Sequence, residues 1–483
     1  MDNSVSNRAQ IHLQDVTLNG KTDLMEMKKR TSPFLYFAAI TMDLTLITFG
    51  VVIIWISPVT EKLLSDDPEE NPLGRPISTL ELSLVGSLSQ IGMVMGPVLL
   101  ERVFGKFGRK RGLNIINISV AIVLVGLAFS THILLYYLFI LTVGILLGGT
   151  SVGLALYIGD ITQDHNRAKM TCLMGSFIPI GNLYGFILGK YFSVKIFTLL
   201  STIPLIISVV VSELFLPESP AYLMLKGDRN SALKGLHKLL RINSEQAEEQ
   251  ANKILSNHTV KSDKANFKIL LSERATRKGF IISCILMTST ATTGLPSIMS
   301  YLEPIFEESG AQVSSSLYAQ IVGIVQICCY FTAAVLVEKV GRRPLLLISA
   351  AANTVPLFTL GVYFNLVYSK STITDQLKWL PVIAIITLTI TSIVGICSVA
   401  PAYMNDVFSY NVKATAISII YLISGISIAL TIFLFPIFMD TIGLSWSFWL
   451  FCMLNVSGFI FIHYYVPETK GKDIVEIQEV LRK

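Results

Sequence analysis

Charged side chains are scarce in this chain of 483 residues. Asp, Glu, Lys and Arg make up 15% of it, hydrophobic residues make up 52%, and the mean hydropathy is +0.61. A soluble domain carries about 25% charged residues, so this composition excludes an ordinary soluble protein and indicates a surface that faces lipid. The net charge of +5 does not indicate a nucleic-acid partner, because the basic residues are sorted to one side of the predicted membrane.

Residues that carry catalytic or metal chemistry are few and scattered. The six histidines form no metal-ligand spacing. The six cysteines all fall in predicted membrane spans, so no disulfide framework is expected outside the membrane. No nucleophile is paired with a base, and no phosphate-cradling glycine loop is present. We therefore expect no enzymatic activity, no cofactor and no metal site.

Apolar runs of membrane-crossing length fill most of the chain. A hydrocarbon core of about 30 Å needs about 20 helical residues. Twelve runs of roughly this length are predicted at 34–56, 80–100, 113–130, 133–158, 170–189, 196–216, 279–302, 317–337, 344–367, 380–404, 414–438 and 445–466. If both termini are cytoplasmic, all Lys and Arg residues lie inside except Lys62, Arg75, Lys190, Lys195, Lys370 and Lys378. This positive-inside bias fixes the predicted orientation.

Short charged motifs occur twice, about half the chain length apart. Gly108-Arg109-Lys110 matches Gly341-Arg342-Arg343, the Asp160 to Arg167 spacing matches Asp406 to Lys413, and Pro217-Glu218 matches Pro467-Glu468. A duplicated unit of six spans is typical of transporters. We predict an all-α membrane protein of twelve spans in two six-helix halves. Its parts are a cytoplasmic tail 1–33, a first bundle 34–216, a helical linker 217–278, a second bundle 279–466 and a tail 467–483.

The repeated charges are predicted to form a cytoplasmic gate. They would pair when the cytoplasmic side is closed and separate when it opens, which biases a conformational equilibrium. The alternative interpretation is that these charges only set the membrane topology by the positive-inside rule. For any single Arg taken alone, this is the better interpretation. The predicted gate residues are Arg109, Lys110, Asp160, Arg167, Glu218, Glu338, Arg342, Arg343, Asp406, Lys413 and Glu468.

These motifs resemble the sugar porter family of the major facilitator superfamily. The similarity is strongest in EKVGRRPLLLIS from Glu338, PESPAYL from Pro217 and VPETKGKDIVEIQ from Val466. TFGVVIIWISP in span 1 and IVGIVQ in span 8 are most similar to insect facilitated trehalose transporters. The resemblance implies alternating access, a substrate site near the midplane, and uptake of a hexose or disaccharide. It also implies a polar substrate contact at Gln326.

Much of the family's sugar-contacting layer is replaced. The paired glutamines of span 7 fall on Thr290 and Ala291, and the tryptophan of span 10 is missing. Because sugars need many hydrogen bonds, other polar groups must substitute. The candidate cavity residues are Gln326, Thr290, Thr293, Ser297, Ser300, Tyr301, Thr48, Asn182 and Ser424. The alternative for each Ser or Thr is a hydroxyl bonded to its own helix backbone.

Asp43 is the ionisable residue deepest in a predicted span, close to the midplane. Intramembrane carboxylates are costly and are functional candidates, often as proton carriers. Proton-coupled sugar porters oppose such an Asp with an Arg in span 4, and that position is Ile140 here. We therefore favour uniport, with Asp43 as a hydrogen-bonding group, over proton symport.

The leading hypothesis is a plasma-membrane facilitator for a small-molecule substrate, a sugar or a sugar-like polyol. One alternative is the same fold moving another small organic solute, which the lost amides allow. Another is a non-transporting sugar sensor, although only 16 residues follow Pro467 for signalling.

In the linker, Asp228 is predicted to cap a helix whose apolar face includes Ala232, Leu236 and Leu239, and 244–256 is predicted as a second helix.

Overall fold

The computed structural model describes residues 32–162, 167–240, 243–259, 273–310, 314–408, 410–472 and 474–482. Every regular element among these residues is helical. Eleven helices of this part are long and apolar enough to cross a membrane. The predicted all-α membrane class is therefore confirmed.

The predicted spans correspond to long helices, numbered as spans 1 to 12. Spans 1 to 6 are Pro33–Leu64, Thr79–Phe107, Arg109–Ala128, Ile133–Ile161, Arg167–Tyr191 and Val194–Phe215. Spans 7 to 12 are Arg274–Ser300, Ser315–Val340, Arg342–Tyr368, Leu380–Val407, Tyr410–Thr441 and Gly443–Tyr465. Span 5, with 25 residues, is the span that is not among the eleven long apolar helices. It packs between spans 1 and 8.

Four spans are interrupted. Span 1 changes direction at Trp55, between helices Pro33–Ile54 and Ile56–Leu64, and span 6 is divided into Val194–Leu200 and Ile203–Phe215. Span 10 contains a π-helical turn at Ile393–Cys397. Span 7 breaks between Arg274–Thr292 and Leu295–Ser300, and the short helix Leu302–Glu308 follows it. Gly294 makes this break with φ of 78°, a left-handed conformation that favours glycine.

Small residues let the spans of one half touch backbone to backbone. A Cβ on Gly144 or Gly148 of span 4 would lie 2.2 Å from a carbonyl oxygen of span 2, that of Ser89 or Met93. Gly181 of span 5 meets span 1 in the same way. Close approach through small residues is how membrane helices gain packing energy without a hydrophobic driving force between them.

The two repeated turns differ from prediction in one respect. Gly108 and Gly341 do end spans 2 and 8, with φ of 102° and 109°. However, spans 3 and 9 begin at once, at Arg109 and Arg342, and not at the predicted 113 and 344. The basic residues therefore lie in the first turn of the next span. Carboxylates that accept the free N–H groups of that turn, described below, account for the earlier start.

The linker is helical as predicted. It contains Pro220–Leu225, Arg229–Leu240 and Ser244–Thr259. Asp228 Oδ1 accepts the backbone N–H of Ser231 at 3.1 Å, which confirms the cap. Ala232, Leu236 and Leu239 are buried beneath it. After span 12, helix Ile474–Arg482 returns to the second half, where Arg482 pairs with Glu273 at 2.9 Å.

The molecule has two ends that differ in charge. We call the end with the Gly108 and Gly341 turns and the linker helices the basic face, and the other end, with the 65–78 connection, the opposite face. The central seam is the contact between the two halves, where span 2 packs on span 11 and span 5 on span 8. The candidate site lies along this seam.

Candidate substrate site and gates

Two predicted cavity residues meet across the central seam. Asn182 of span 5 donates from Nδ2 to Oε1 of Gln326 in span 8 at 2.9 Å. Gln326 Nε2 in turn donates to Met299 Sδ, after the break in span 7, at 3.0 Å. Both amides are buried, with 7% and 4% of their surface exposed. The seam therefore holds an amide pair joining the two halves.

Several buried polar atoms of spans 5, 7 and 8 have unused hydrogen-bonding capacity. Asn182 Oδ1, Ser297 Oγ, Tyr301 Oη and Gln320 Nε2 have no hydrogen-bond partner among the described residues. Unpaired buried polar atoms are rare in folded proteins and call for an explanation such as a ligand. Three of the four belong to residues predicted from the sequence. Together they offer both donors and acceptors, which is what a polyhydroxyl solute requires.

The other predicted hydroxyls are already bonded to backbone carbonyls. Thr290, Thr293 and Ser300 donate to Met287, Thr290 and Pro296 of their own span, at 2.6, 2.9 and 3.0 Å. This bonding is the alternative that the sequence left open for them. Thr48 donates to Ser201 in span 6 at 2.8 Å, and Ser424 donates to Met287 in span 7 at 3.0 Å. These last two hydroxyls tie neighbouring spans together.

Asp43 lies inside the first half and is fully buried. Neither of its carboxyl oxygens has a hydrogen-bond partner among the described residues. Close by in span 1, Thr45 Oγ1 accepts from Asn117 Nδ2 at 3.0 Å and lies 3.4 Å from Ser208 Oγ. At the span 4 position predicted to lack a cation, Ile140 is buried. Hydroxyls and an amide thus form a polar patch in the half that encloses Asp43.

The opposite face is closed by contacts between the halves. Thr79 of span 2 donates to Asp440 of span 11 at 3.0 Å, and the backbone N–H of Glu303 donates to Ser57 Oγ of span 1 at 3.0 Å. Tyr301, at the end of span 7, stacks on Phe435 with ring centroids 5.9 Å apart. Its hydroxyl reaches Gly86, where a Cβ would lie only 2.2 Å away.

Glu303 is a buried carboxyl within this closed face. Its Oε1 has no hydrogen-bond partner among the described residues, and 9% of its surface is exposed. Burial raises the pKa of Glu303 to about 7, although the charge of Lys62 opposes the shift. The Lys62 ammonium itself donates to the carbonyls of Gly189 and Phe192, both at 2.6 Å. Ionising Glu303 is therefore costly in this closed arrangement.

On the basic face, the first half contains one charged network. Arg109 Nε lies 3.5 Å from Asp160 Oδ2, and Ser219 Oγ donates to the same oxygen at 2.6 Å. Glu218 accepts the backbone N–H groups of Arg109 and Lys110 at 2.9 and 2.7 Å. A carboxylate at a helix N-terminus satisfies free N–H groups and the helix dipole.

The second half repeats this network. Arg342 Nε lies 3.0 Å from Asp406 Oδ2, and Thr469 Oγ1 donates to the same oxygen at 3.0 Å. Glu468 accepts the backbone N–H groups of Arg342 and Arg343 at 3.1 and 3.0 Å. Burial opposes ionisation of Glu468, but the backbone N–H groups that it accepts outweigh burial and lower its pKa.

The remaining gate candidates also contact their own half. Lys110 pairs with Glu213 at 3.1 Å, Lys413 donates to the carbonyl of Asn405 at 2.8 Å, and Arg343 donates to that of His463 at 2.7 Å. The side chains of Arg167 and Glu338 lie outside the described residues. Each of these gate contacts joins parts of one half, and the predicted gating role remains a prediction.

Some residues of the site were not expected from the sequence. Gln320 lies six residues before Gln326 in the same helix, so a search for amides in span 8 would have found it. Glu303 falls just after a predicted span, and Met299 looks like ordinary core. Asn117 lies inside span 3, where an amide is unusual enough to be a signal. Only the fold brings Met299 and Glu303 to contacts that involve both halves, and Asn117 to the first half's polar patch.

Comparisons with known proteins agree with this geometry. The sequence model of the family described as sugar (and other) transporter matches residues 35–481. Facilitated trehalose transporter Tret1 of Aedes aegypti is 25% identical over 96% of this chain, and the chain spans 58% of that protein's length. Tret1 of Polypedilum vanderplanki is also 25% identical, over 96% of this chain and 92% of its own length. The predicted resemblance is therefore confirmed.

Solved structures with the same fold include the xylose transporter XylE from E. coli. Its inward open conformation has a TM-score of 0.77 and 19% identity, covering 92% of this chain and 99% of that one. Its partially occluded inward open conformation has a TM-score of 0.74 and 20% identity, covering 91% and 100%. The two-half membrane fold is thus established. This chain belongs to the sugar (and other) transporter family, and it is a multi-pass membrane protein.

Proposed function

We propose that the protein moves a sugar down its concentration gradient by alternating access, with trehalose as the first candidate and a hexose as the second. The observation that carries this proposal is the buried Asn182–Gln326 amide pair across the seam, 2.9 Å apart. Asn182 Oδ1 and Ser297 Oγ remain without partners among the described residues. A polyhydroxyl solute would satisfy these atoms. Trehalose comes first because the Aedes and Polypedilum relatives are named as trehalose transporters.

Alternating access is supported by the unequal contacts at the two ends. On the opposite face, Thr79–Asp440 and Ser57–Glu303 join the two halves. On the basic face, the Arg109–Asp160 and Arg342–Asp406 pairs each stay within one half. Contacts between the halves at one end, with these charge pairs inside single halves at the other, are expected of one end state of a rocking transporter. The positive-inside bias supports cytoplasmic termini, and with them an inward-facing state. The plasma membrane is the location that we propose.

Uniport is favoured over proton symport by the surroundings of Asp43. Its carboxyl has no partner among the described residues, and the residue at the span 4 position is Ile140. A cation opposite the carboxylate would let the protein alternate between a paired and a protonated state, and Ile140 cannot supply it. Without that cation, Asp43 has no described group that would couple its protonation to the cycle.

A second candidate is another small organic solute with fewer hydroxyls. It is favoured by Thr290, Thr293 and Ser300, whose hydroxyls already donate to backbone carbonyls. These groups can still accept hydrogen bonds but have no free proton to donate. These three hydroxyls therefore supply no donors, which suits a solute with fewer acceptor oxygens than a disaccharide.

Uptake by the full chain in cells without endogenous sugar transport tests the proposal. Labelled trehalose, glucose and a polyol panel are supplied outside, and initial rates are measured. We expect saturable uptake of trehalose or a hexose. Uptake of a polyol or another solute alone would favour the second candidate, and no uptake of any sugar would overturn the sugar assignment.

The variant Gln326→Leu locates the site. It removes the acceptor of Asn182 and the donor to Met299, and losing a buried hydrogen bond costs about 1–3 kcal/mol. We expect an apparent KM raised by about 5- to 100-fold with normal surface expression. Gln376→Leu, in an exposed turn far from the seam, is the matched control. Equal KM values in both variants would remove Gln326 from the substrate site.

A further inference from the structure

A large pocket on the basic face lies apart from the central seam. It is formed by the end of span 2, the turn into span 3 and the linker helices Pro220–Leu225 and Arg229–Leu240. It encloses about 1210 Å³ of empty space that is open to solvent. No residue proposed for the substrate site lines it. A ligand of this pocket would therefore bind at a site separate from that of the transported solute.

The pocket is strongly cationic. Its basic lining residues are Lys106, Arg111, Lys226, Lys234 and Lys238. None of the five forms an ion pair with a carboxylate in the described part of the chain. Two acidic residues also line it, Glu218 and Asp228, but both are engaged. Glu218 accepts the N–H groups that begin span 3, and Asp228 caps the linker helix.

Three of these cations lie over aromatic rings, and two of those rings are at the ends of spans. Lys106 Nζ lies 5.2 Å from the centre of the Phe107 ring, and Lys238 Nζ lies 5.7 Å from that of Phe34, at the start of span 1. Lys226 Nζ lies 5.5 Å from the ring of Tyr222. Long basic side chains that cross apolar surface and end in water are typical of the bilayer interface. The pocket thus lies at the level of the lipid headgroups.

Exposed apolar residues lie in the pocket and next to it. Phe107 lines it and is 44% exposed, and Leu225, next in sequence to the lining residue Lys226, is 51% exposed. Apolar side chains beside a cluster of unpaired cations match an amphiphile, with its chains against the apolar residues and its anionic group among the lysines. A soluble anion would make no use of the apolar border.

We propose that this pocket binds a phosphate-bearing anion, and that its source is the headgroup of an anionic phospholipid with more than one negative charge. Five unpaired cations facing one space need several negative charges to balance them. The ligand would touch both the span 2–3 turn and the linker. Tyr222 already joins these parts, because its hydroxyl donates to the Lys106 carbonyl at 3.1 Å. Binding there would hold the linker against the first half.

The test compares two double variants of the full-length protein. Lys234→Gln with Lys238→Gln removes two exposed pocket cations. Arg274→Gln with Arg277→Gln removes two exposed cations from the start of span 7, on the same face but outside the pocket. All four residues are exposed, so both proteins should fold, and unchanged melting temperatures without ligand check this. Each protein is placed in phosphatidylcholine nanodiscs with increasing phosphatidylinositol bisphosphate, and bound lipid is measured by native mass spectrometry.

We expect the pocket variant to bind the bisphosphate lipid roughly 10- to 30-fold more weakly than the parent, since each basic residue near a membrane surface contributes about 1 kcal/mol. The Arg274/Arg277 variant should bind like the parent. Equal losses in both variants would mean general attraction to a basic face and would overturn the pocket. Soluble inositol trisphosphate and inorganic phosphate form the second arm. Pocket-dependent binding of these without binding of the lipid would overturn the lipid source.

Discussion

Gly86 lies where span 2 of the first half meets the broken end of span 7 in the second. A Cβ there would lie 2.2 Å from the Tyr301 hydroxyl and 3.1 Å from its ring carbon Cζ. Tyr301 cannot easily move, because it is buried and stacked on Phe435. Because Gly86 has no Cβ, span 2 can approach Tyr301 closely enough for the opposite face to close.

We expect Gly86→Ala to disfavour this closed state by about 1–3 kcal/mol, the usual cost of overpacking, and to slow transport. Tyr301→Phe removes the clashing oxygen, so the double variant should recover much of the rate. Gly105→Ala in the same span, where no atom lies within 4 Å of the added Cβ, is the control. The measurement is the rate of sugar exchange by each variant in proteoliposomes. A double variant no better than Gly86→Ala alone would contradict the proposed contact.

Glu303 makes closure of the opposite face depend on pH. An exposed glutamate titrates near 4.5, whereas the pKa of the buried Glu303 is about 7. Below 4.5 both states hold a neutral carboxyl, so pH does not distinguish them. Between 4.5 and 7 the closed state keeps a proton that the open state releases. Above 7 the closed state bears the full cost of a buried charge, so closure is favoured as the pH falls.

We therefore expect opening to the outside, and with it the initial uptake rate, to rise with external pH from about 4.5 to 7 and then level off. Glu303→Gln removes the titrating group and should flatten this profile. Glu69→Gln, an exposed carboxyl in the 65–78 connection, should leave the profile unchanged. A profile in Glu303→Gln identical to that of the parent would assign the pH dependence elsewhere.

At the scale of elements, the repeated charges tie the ends of spans together. In each half an arginine meets an aspartate, and a glutamate accepts the first N–H groups of the next span. Arg342, Asp406 and Glu468 make these contacts in the second half. Such a unit holds the ends of neighbouring spans together, so we expect it to move with its half. If these charges form the predicted gate, they act through the position of each half and not through a pair across the seam.

We expect Arg342→Ala with Arg343→Ala to insert and express normally but to transport slowly. The variant breaks the Asp406 pair and the bond to the His463 carbonyl. Lys339→Ala with Lys472→Ala removes two exposed cations from the same face and should transport normally. If the cations served topology alone, both variants would behave alike. Equal uptake kinetics in the two would therefore end the gating hypothesis.

The sequence predicted the elements better than their contacts. Apolar runs placed the spans, Gly108 and Gly341 placed the repeated turns, and Asp228 placed a linker cap, because each depends on a local pattern. The pairing of the Arg109 and Arg342 side chains with Asp160 and Asp406 inside one half depends on tertiary packing. No spacing in the chain distinguishes that pairing from one across the seam.

The substrate residues divide in the same way. Asn182 and Gln326 were predicted, and the fold brings them together at the seam. Thr48 and Ser424 were predicted as well, yet their hydroxyls bond carbonyls of neighbouring spans. A hydroxyl in a membrane helix can contact a substrate or bond a backbone carbonyl. Which of these it does depends on the helix that packs against it.

At the scale of the whole molecule, the question is whether the cycle is coupled to protons. Coupling requires a group that changes its proton in step with the rocking of the halves. Asp43 is the candidate, but it is enclosed within the first half and its oxygens have no partner among the described residues. A carboxyl that keeps the same surroundings while its half moves as a unit has no reason to bind a proton on one side and release it on the other.

We therefore expect Asp43→Asn to keep downhill uptake within a few-fold of the parent, because an amide has nearly the same size and shape as the carboxyl that it replaces and remains polar. Neither protein should accumulate sugar above the external concentration, and a protonophore should not change the uptake of either. Efflux and influx rates in proteoliposomes with and without a pH gradient provide the measurement. Accumulation by the parent that collapses with the protonophore and is lost in Asp43→Asn would make Asp43 the proton site and the protein a symporter.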